Sequence, residues 1–345
     1  MRSLLVAGAV ALAACHHPCQ CHTIQDAALA MAQDGRPEEA AALLGEAARL
    51  ATKPDHRDHL LFQQGLVLAR AGLADEALEV WDGLYASTAS ESIAGRIVYE
   101  KGMLARARGE LAKAEEQFLF LVKNHPEHGL ALTGLYRLEK LVRDREGGEA
   151  VRALLESLLE DALETSFGDD VLWELYAWHR RNGDRDEARS YLLAIRASYP
   201  FPTGARAGDA LLALAGMAEE EGDWDAAIGY LEEVIGPIGK APVIGSSGGT
   251  GKAKALIRLG HIYEEHKGDP KTALSLYLEV ARMPELETMN DDGLLEAARL
   301  LVAMGRPEKA CKHLERLLGD YPYSNKRKKA VKLVVEAGCT QGGEG

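Results

Sequence analysis

The chain has 345 residues, 47% hydrophobic and 27% charged, with 40 Lys and Arg against 53 Asp and Glu and a formal charge of −13. That balance excludes a surface built to attract phosphate, and with it a nucleic-acid partner. The apolar content and its periodicity exclude wholesale disorder, and five cysteines in this length exclude a disulfide-dense scaffold.

At the amino terminus, Arg2 is the only charge before an apolar run from Leu4 to Ala14. Such a run makes a helix of about 16 Å, half the hydrocarbon core, so it is not a stable membrane span. A positive start, a short apolar core and a small-residue exit form the signal-peptide pattern. The exit, Leu12-Ala13-Ala14-Cys15, resembles the lipobox of bacterial lipoproteins. The resemblance implies that Cys15 receives a diacylglycerol, that residues 1–14 are removed, and that the new amino terminus is acylated. Three acyl chains at ~0.8 kcal/mol per buried CH₂ would anchor the protein firmly. His16, rather than aspartate, follows Cys15, which leans the implied address to the bacterial outer membrane, facing the periplasm. Ala11-Leu12-Ala13 also fits the cleavage site of an ordinary signal peptide. Residues 15–22 read as a tether. Its Cys15, His16, His17, Cys19, Cys21 and His22 are a plain linker on one reading and a metal or copper site on the other.

Beyond residue 22 one word recurs: Gly, four residues, Ala. It occurs at Gly35, Gly72, Gly109, Gly148, Gly183, Gly222, Gly268 and Gly305, in steps of 37, 37, 39, 35, 39, 46 and 37. A period in the thirties signals a solenoid of helical hairpins. Ala74, Ala77, Leu78, Trp81, Leu84 and Tyr85 fall on one helical stripe, as do Leu111, Ala114, Phe118, Leu121 and Val122. Each glycine ends a first helix by taking a left-handed backbone. Asp184, Asp223 and Asp269 are expected to cap the second helices, and Pro37, Pro270 and Pro307 to open them.

Over about residues 22–322 this pattern resembles the tetratricopeptide repeat, in which a small residue stands twelve positions before the alanine, an aromatic or leucine four after it, and a proline twelve after it. Gly102, Phe118 and Pro126 around Ala114 match all three; Gly65 and Trp81 flank Ala77; Leu192 and Pro200 follow Ala188; Ala298, Leu314 and Pro322 surround Ala310. The seventh unit keeps Gly260, Tyr263 and Tyr277. The fourth departs most, with Leu141 and Ser157 at the small and aromatic positions. The resemblance implies an all-α, right-handed superhelical solenoid of about eight hairpins over 23–322. A capping helix near Asn325–Ala337 and a tail follow in 323–345, the helix's lysines forming a polar end. Residues 236–252, rich in glycine, read as a loop inserted in the solenoid, and the stretch Pro200-Phe201-Pro202 as a stiff connection.

Catalytic patterns fail on inspection. GSSGGTGK lacks the first glycine and the hydroxyl of a phosphate-binding loop, with Ser246 and Ala253 in their places. His261 and His266 are five apart, so their rings diverge by about 140°, and His56 and His59 share a face with nothing converging on them. Paired glutamates read as solvated helix faces. No enzyme activity, cofactor, metal centre or small-molecule substrate is expected.

The family's register for bound peptides passes along the first helices. Carried over, it selects His59, Phe62 and Leu66, then Arg96, Tyr99, Met103 and Arg106, then Trp173, Ala177, Arg180 and Arg181, and finally an acidic stretch of Asp209, Glu219, Glu220, Glu264 and Glu265. Arginine and aromatic side chains carry much of the binding energy in interfaces; for Phe62, Tyr99 and Trp173, packing between helices is the competing reading. The function this implies is a lipid-anchored interaction scaffold for other envelope proteins or their extended segments. An accessory or enzymatic part in peptidoglycan turnover is the alternative. Cys311 and Cys339 lie symmetrically about a turn near residue 325, so a disulfide fastening the solenoid end is expected, against a buried Cys311 beside a free Cys339.

Overall fold

The computed structural model describes residues 18–236, 248–283 and 289–339, with side chains from Ile24 onward and from Thr250 after the glycine-rich segment. Among these residues every regular element is an α-helix. The protein is a helical-repeat solenoid that divides into two compact units, one ending at Phe167 and one beginning at Gly168.

The first unit holds four hairpins: α1 (Pro18–Gln33) with α2 (Pro37–Leu50), α3 (Pro54–Arg70) with α4 (Ala74–Ser87), α5 (Glu91–Ala107) with α6 (Leu111–Asn124), and α7 (Ala131–Glu146) with α8 (Gly148–Ala162). The second holds α9 (Gly168–Asn182) with α10 (Arg185–Ser198), α11 (Ala207–Glu221) with α12 (Trp224–Ile235), α13 (Gly248–Glu265) with α14 (Pro270–Val280), α15 (Asn290–Ala303) with α16 (Pro307–Asp320), and a last helix, α17 (Arg327–Glu336). Odd-numbered helices are therefore the first helices of hairpins.

In the second, third and seventh hairpins a glycine on one helix meets a ring on the other. Ala77, Trp81 and Leu84 are buried along α4, and Ala114, Phe118 and Leu121 along α6. A Cβ added at Gly65 would lie 2.2 Å from Trp81, at Gly102 2.7 Å from Phe118, and at Gly260 2.3 Å from Tyr277. Ring and missing side chain thus claim the same space. The turn is set by backbone chemistry. Gly109 has φ +75°, its N–H reaches the Arg106 carbonyl at 3.1 Å, and the Glu110 N–H reaches Ala105 at 2.9 Å, which satisfies the orphan carbonyls of the helix end.

The hairpins are also stitched to one another. The buried carboxylate of Asp58 accepts from the Thr88 hydroxyl at 2.7 Å. Asp169 accepts from the Arg206 N–H at 2.9 Å, and Asp291 from the Ser324 hydroxyl. Each is an acid near the start of a first helix that holds the chain just before the next first helix. Burial pushes the Asp169 carboxyl up from its usual range, opposed chiefly by the Arg206 N–H.

Five expectations need correction. In the fourth hairpin the positive-φ glycine is Gly147, not Gly148; α8 starts one residue after it, and Ala153 is exposed while Val151 takes the buried place. The turn is one residue shorter there, so the recurring word is off the true register. Asp184 makes no cap: its carboxylate faces His179 Nδ1 at 3.2 Å instead. Asp223 and Asp269 do cap, accepting from Ala226 and from Lys271 and Thr272. The segment read as a loop through residue 252 turns helical at Gly248, because α13 extends back over its small residues. At the other end α1 already begins at Pro18, inside the expected tether, with a proline in its first turn where no N–H is needed. The last helix is not wholly polar outside, since Val331 and Val335 are 52% and 77% exposed. Cys15 and the segment 1–17 lie outside the described residues. No helix among the described residues is long and apolar enough to cross a membrane.

Candidate binding groove

The side chains selected by the peptide register divide between the two units. In the first, Phe62 is a core residue, 1% exposed and stacked on Trp81 at 6.3 Å. It cannot meet a partner, because α3 turns it inward. The Arg96 guanidinium lies 4.4 Å from the Phe62 ring centre and borders an open hollow with Glu91, Ser92, Glu127 and His128. Tyr99 is half-buried and leans on Phe118 at 5.8 Å. Met103 and Arg106 are also half-buried, on the same helix.

In the second unit the first helices build a groove of about 630 Å³. Trp173 comes from α9; Asp209, Leu212 and Ala213 from α11; Lys254, Ile257 and Arg258 from α13; Met289 and Asp292 from the start of α15. Four consecutive hairpins thus contribute to one depression. Trp173 packs against Tyr176 at 5.0 Å, with the Arg206 guanidinium 5.6 Å from its ring centre; Arg206 is held in turn by Asp170 at 2.6 Å. Arg258 is committed to the Leu212 carbonyl at 2.8 Å and to Glu219 at 3.0 Å, and Asp292 pairs with Lys326. Lys254 is exposed and makes no ion pair among the described residues. The groove therefore offers an apolar floor of Leu212, Ala213, Ile257 and Met289, a ring at one side and an available ammonium.

Arg180 is not available in the same way: it donates to Glu220 at 2.6 Å. Arg181 donates from Nε to the Ala177 carbonyl at 2.9 Å. The acidic stretch is largely neutralised from within. Glu219 faces Arg258, Glu220 faces Arg180 and Arg185, and Glu264 is gripped by Arg299 at 2.6 and 2.8 Å. The Arg299 hydrogen bond holds the Glu264 carboxyl below the usual carboxylate range. Burial, with Glu264 beside it, drives the Tyr277 phenol upward. Each of these cations comes from a neighbouring hairpin, 35 to 40 residues away, which is why the acids looked unpaired in the sequence.

The histidines have separate partners. His261 Nδ1 lies 3.1 Å from the Tyr277 hydroxyl, His266 stacks on Trp224 at 3.5 Å, and His59 bonds Gln25 at 3.0 Å. Cys311 and Cys339 are joined as a disulfide, with Cα atoms 5.5 Å apart.

Leu212, Lys254, Ile257, Arg258 and Met289 were missed. The register chose Glu264 and Glu265, about two turns too far along α13, where the seventh unit carries an extra residue. Following the first-helix face back from Trp173 and Asp209 would have found them.

Family models for the tetratricopeptide repeat match residues 179–242, 255–288 and 292–324. Those three stretches are similar to the tetratricopeptide repeat. All three matches fall after residue 168, and the first two run over the hairpins that line the groove. No curated protein matches the sequence. Among solved structures, yeast Tom70 is 12% identical, with a TM-score of 0.43, over 87% of this chain and 59% of that one. The C-terminal part of a TPR repeat-containing protein from Cytophaga hutchinsonii is 14% identical, TM-score 0.41, over 78% and 98%. A tetratricopeptide repeat protein from Parabacteroides merdae is 15% identical, TM-score 0.32, over 91% and 98%. This chain spans less than two thirds of Tom70. Likenesses this distant bear on neither partner nor site.

Proposed function

We propose that the protein is a lipid-anchored scaffold of the bacterial envelope that holds extended segments of other envelope proteins in the groove of its second unit. The groove itself carries the reading: four successive first helices present an apolar floor, Trp173 and the available ammonium of Lys254 along one line. A segment with an apolar side chain next to a carboxylate fits that chemistry, since an accessible aromatic edge and a cation are the anchors interfaces favour, and Trp173 is half-buried. In the first unit Arg96, Tyr99, Met103 and Arg106, all half-buried, are the side chains left to meet a partner. The anchor rests on Leu12-Ala13-Ala14-Cys15, and the Cys311–Cys339 bond suits the oxidising compartment that export implies.

Crosslinking in native membranes tests this. The unmodified chain should capture discrete envelope proteins, and Trp173→Ala with Lys254→Glu should lose them without altering the far-ultraviolet helix signal. Capture that survives both substitutions moves the site out of this groove. Acyl mass on the peptide beginning at Cys15, and its loss in Cys15→Ser, tests the anchor separately.

A further inference from the structure

The last helix is built as the first helix of another hairpin. Gly338 has φ +64° like the eight turn glycines before it. The Cys339 N–H reaches the Val334 carbonyl at 3.0 Å, as Glu110 reaches Ala105 at 2.9 Å. Val331 stands seven residues before Gly338, where Gly65, Gly102 and Ala298 stand before Gly72, Gly109 and Gly305. In those hairpins that place is buried under the second helix. Here Val331 is 52% exposed and Val335, one turn on, 77%. Exposed Lys328, Lys329 and Lys332 flank the two valines; Lys332 reaches only Glu336, at 3.8 Å. A seat for a helix is thus formed, apolar in the middle and basic at its edges, and no described residue fills it.

The opposite charge stands on α1. That helix buries Ile24 and Ala28 against its own unit and exposes Asp26, Ala27 and Ala30 on the other face, with exposed Asp34 in the turn just past its end. The two alanines leave a shallow trough between acids two turns apart, and neither carboxylate is ion-paired among the described residues.

We infer that α17 docks on α1 of a second copy of this chain. The valines enter the alanine trough, and Lys328 and Lys332 face Asp26 and Asp34. The contact is heterologous, since the two surfaces differ, and so propagates from copy to copy. It is small, so association is weak and falls with salt.

Sedimentation equilibrium of the full chain gives the test. The expected result is a mass that rises with concentration at low salt. Lys328→Glu with Lys332→Glu, and separately Asp26→Lys with Asp34→Lys, should each weaken association by roughly tenfold or more. Mixing the two reversed variants should restore it between unlike chains. Val335→Asp, on an exposed side chain, should abolish it while leaving the helix signal intact. A monomer at every concentration, association untouched by the α1 substitutions, or failure of the mixed pair overturns the inference. So does binding of α17 to anionic phosphatidylglycerol vesicles with no self-association, which would assign the basic face to lipid.

Discussion

The third and fourth hairpins adjoin in the chain and close by different means. In the third, α5 and α6 are drawn together by a glycine facing a ring: Gly102 and Phe118 share one space, with Ala114 fully buried beside them. In the fourth, the turn loses a residue; α8 buries Val151, Leu155 and Leu158 and α7 buries Leu135, Leu138 and Val142, all of them aliphatic. The small residue of α7, Gly134, serves the previous hairpin instead, since a Cβ there would lie 2.7 Å from Leu121. The fourth pair packs less closely on itself, and its two ends are tied from outside. Glu127, before α7, accepts from the N–H of Ser166, after α8, at 2.8 Å, and from its hydroxyl. A stripe of apolar residues at helical spacing thus suffices to make a hairpin, and the glycine–aromatic pair is one way of closing it tightly.

The sharpest test removes the ring. Phe118→Ala should cost about 3–5 kcal/mol, because the glycine opposite cannot fill the cavity; Leu155→Ala in the looser pair should fall at the low end of about 2–5 kcal/mol. Urea unfolding midpoints compare the two. Next, Gly102→Ala should cost about 1–3 kcal/mol by overpacking, while Ala153→Lys, at the false copy of the recurring word, should change stability by under about 0.5 kcal/mol. A large effect at Ala153 would mean that the sequence word, not the observed register, describes the fourth hairpin. Third, Gly109→Ala and Gly147→Ala should each cost about 1 kcal/mol, since nothing obstructs a Cβ at either site and only the left-handed backbone resists it. An equal loss would show that the shortened turn obeys the same backbone rule.

The smallest effect is a pH dependence. Hydrogen bonds from Ser166, side chain first and then backbone, lower the Glu127 carboxyl. A carboxyl lowered on folding stabilises the protein above its unfolded value and loses that contribution as pH falls toward its folded one. Glu127 is exposed, so screening limits the gain to about 0.5 kcal/mol. Between about pH 5 and 3 the unmodified protein should therefore lose slightly more stability than Ser166→Ala, as thermal melts would register.

The hairpin count, the paired helices and the Gly65–Trp81 and Gly102–Phe118 contacts were legible because they depend on spacing within some forty residues. Gly338 was overlooked because Gly343 stands where a repeat would show Ala, five residues on; its turn obeys backbone geometry alone. Trp173 and Asp209 were legible as residues that line one depression, half-buried on regular helices. The groove was misread at Phe62, where helix rotation decides between core and surface, and at Glu220 and Glu264, whose partners Arg180 and Arg299 come from neighbouring repeats. Pairing across a repeat interface depends on how far each helix slides past the next, and spacing within one hairpin does not encode that offset.

The disulfide alters how this molecule comes apart under strain. In a solenoid each hairpin is held mainly by its neighbours, so an end helix peels first. Cys311 sits on α16 and Cys339 just past the turn that closes α17. With that rivet in place α17 cannot peel by itself; a tug on the carboxyl end must load α16 as well. Amide exchange should accordingly report α16 and α17 opening as one block when the bond is intact, and α17 exchanging ahead of α16 once it is reduced.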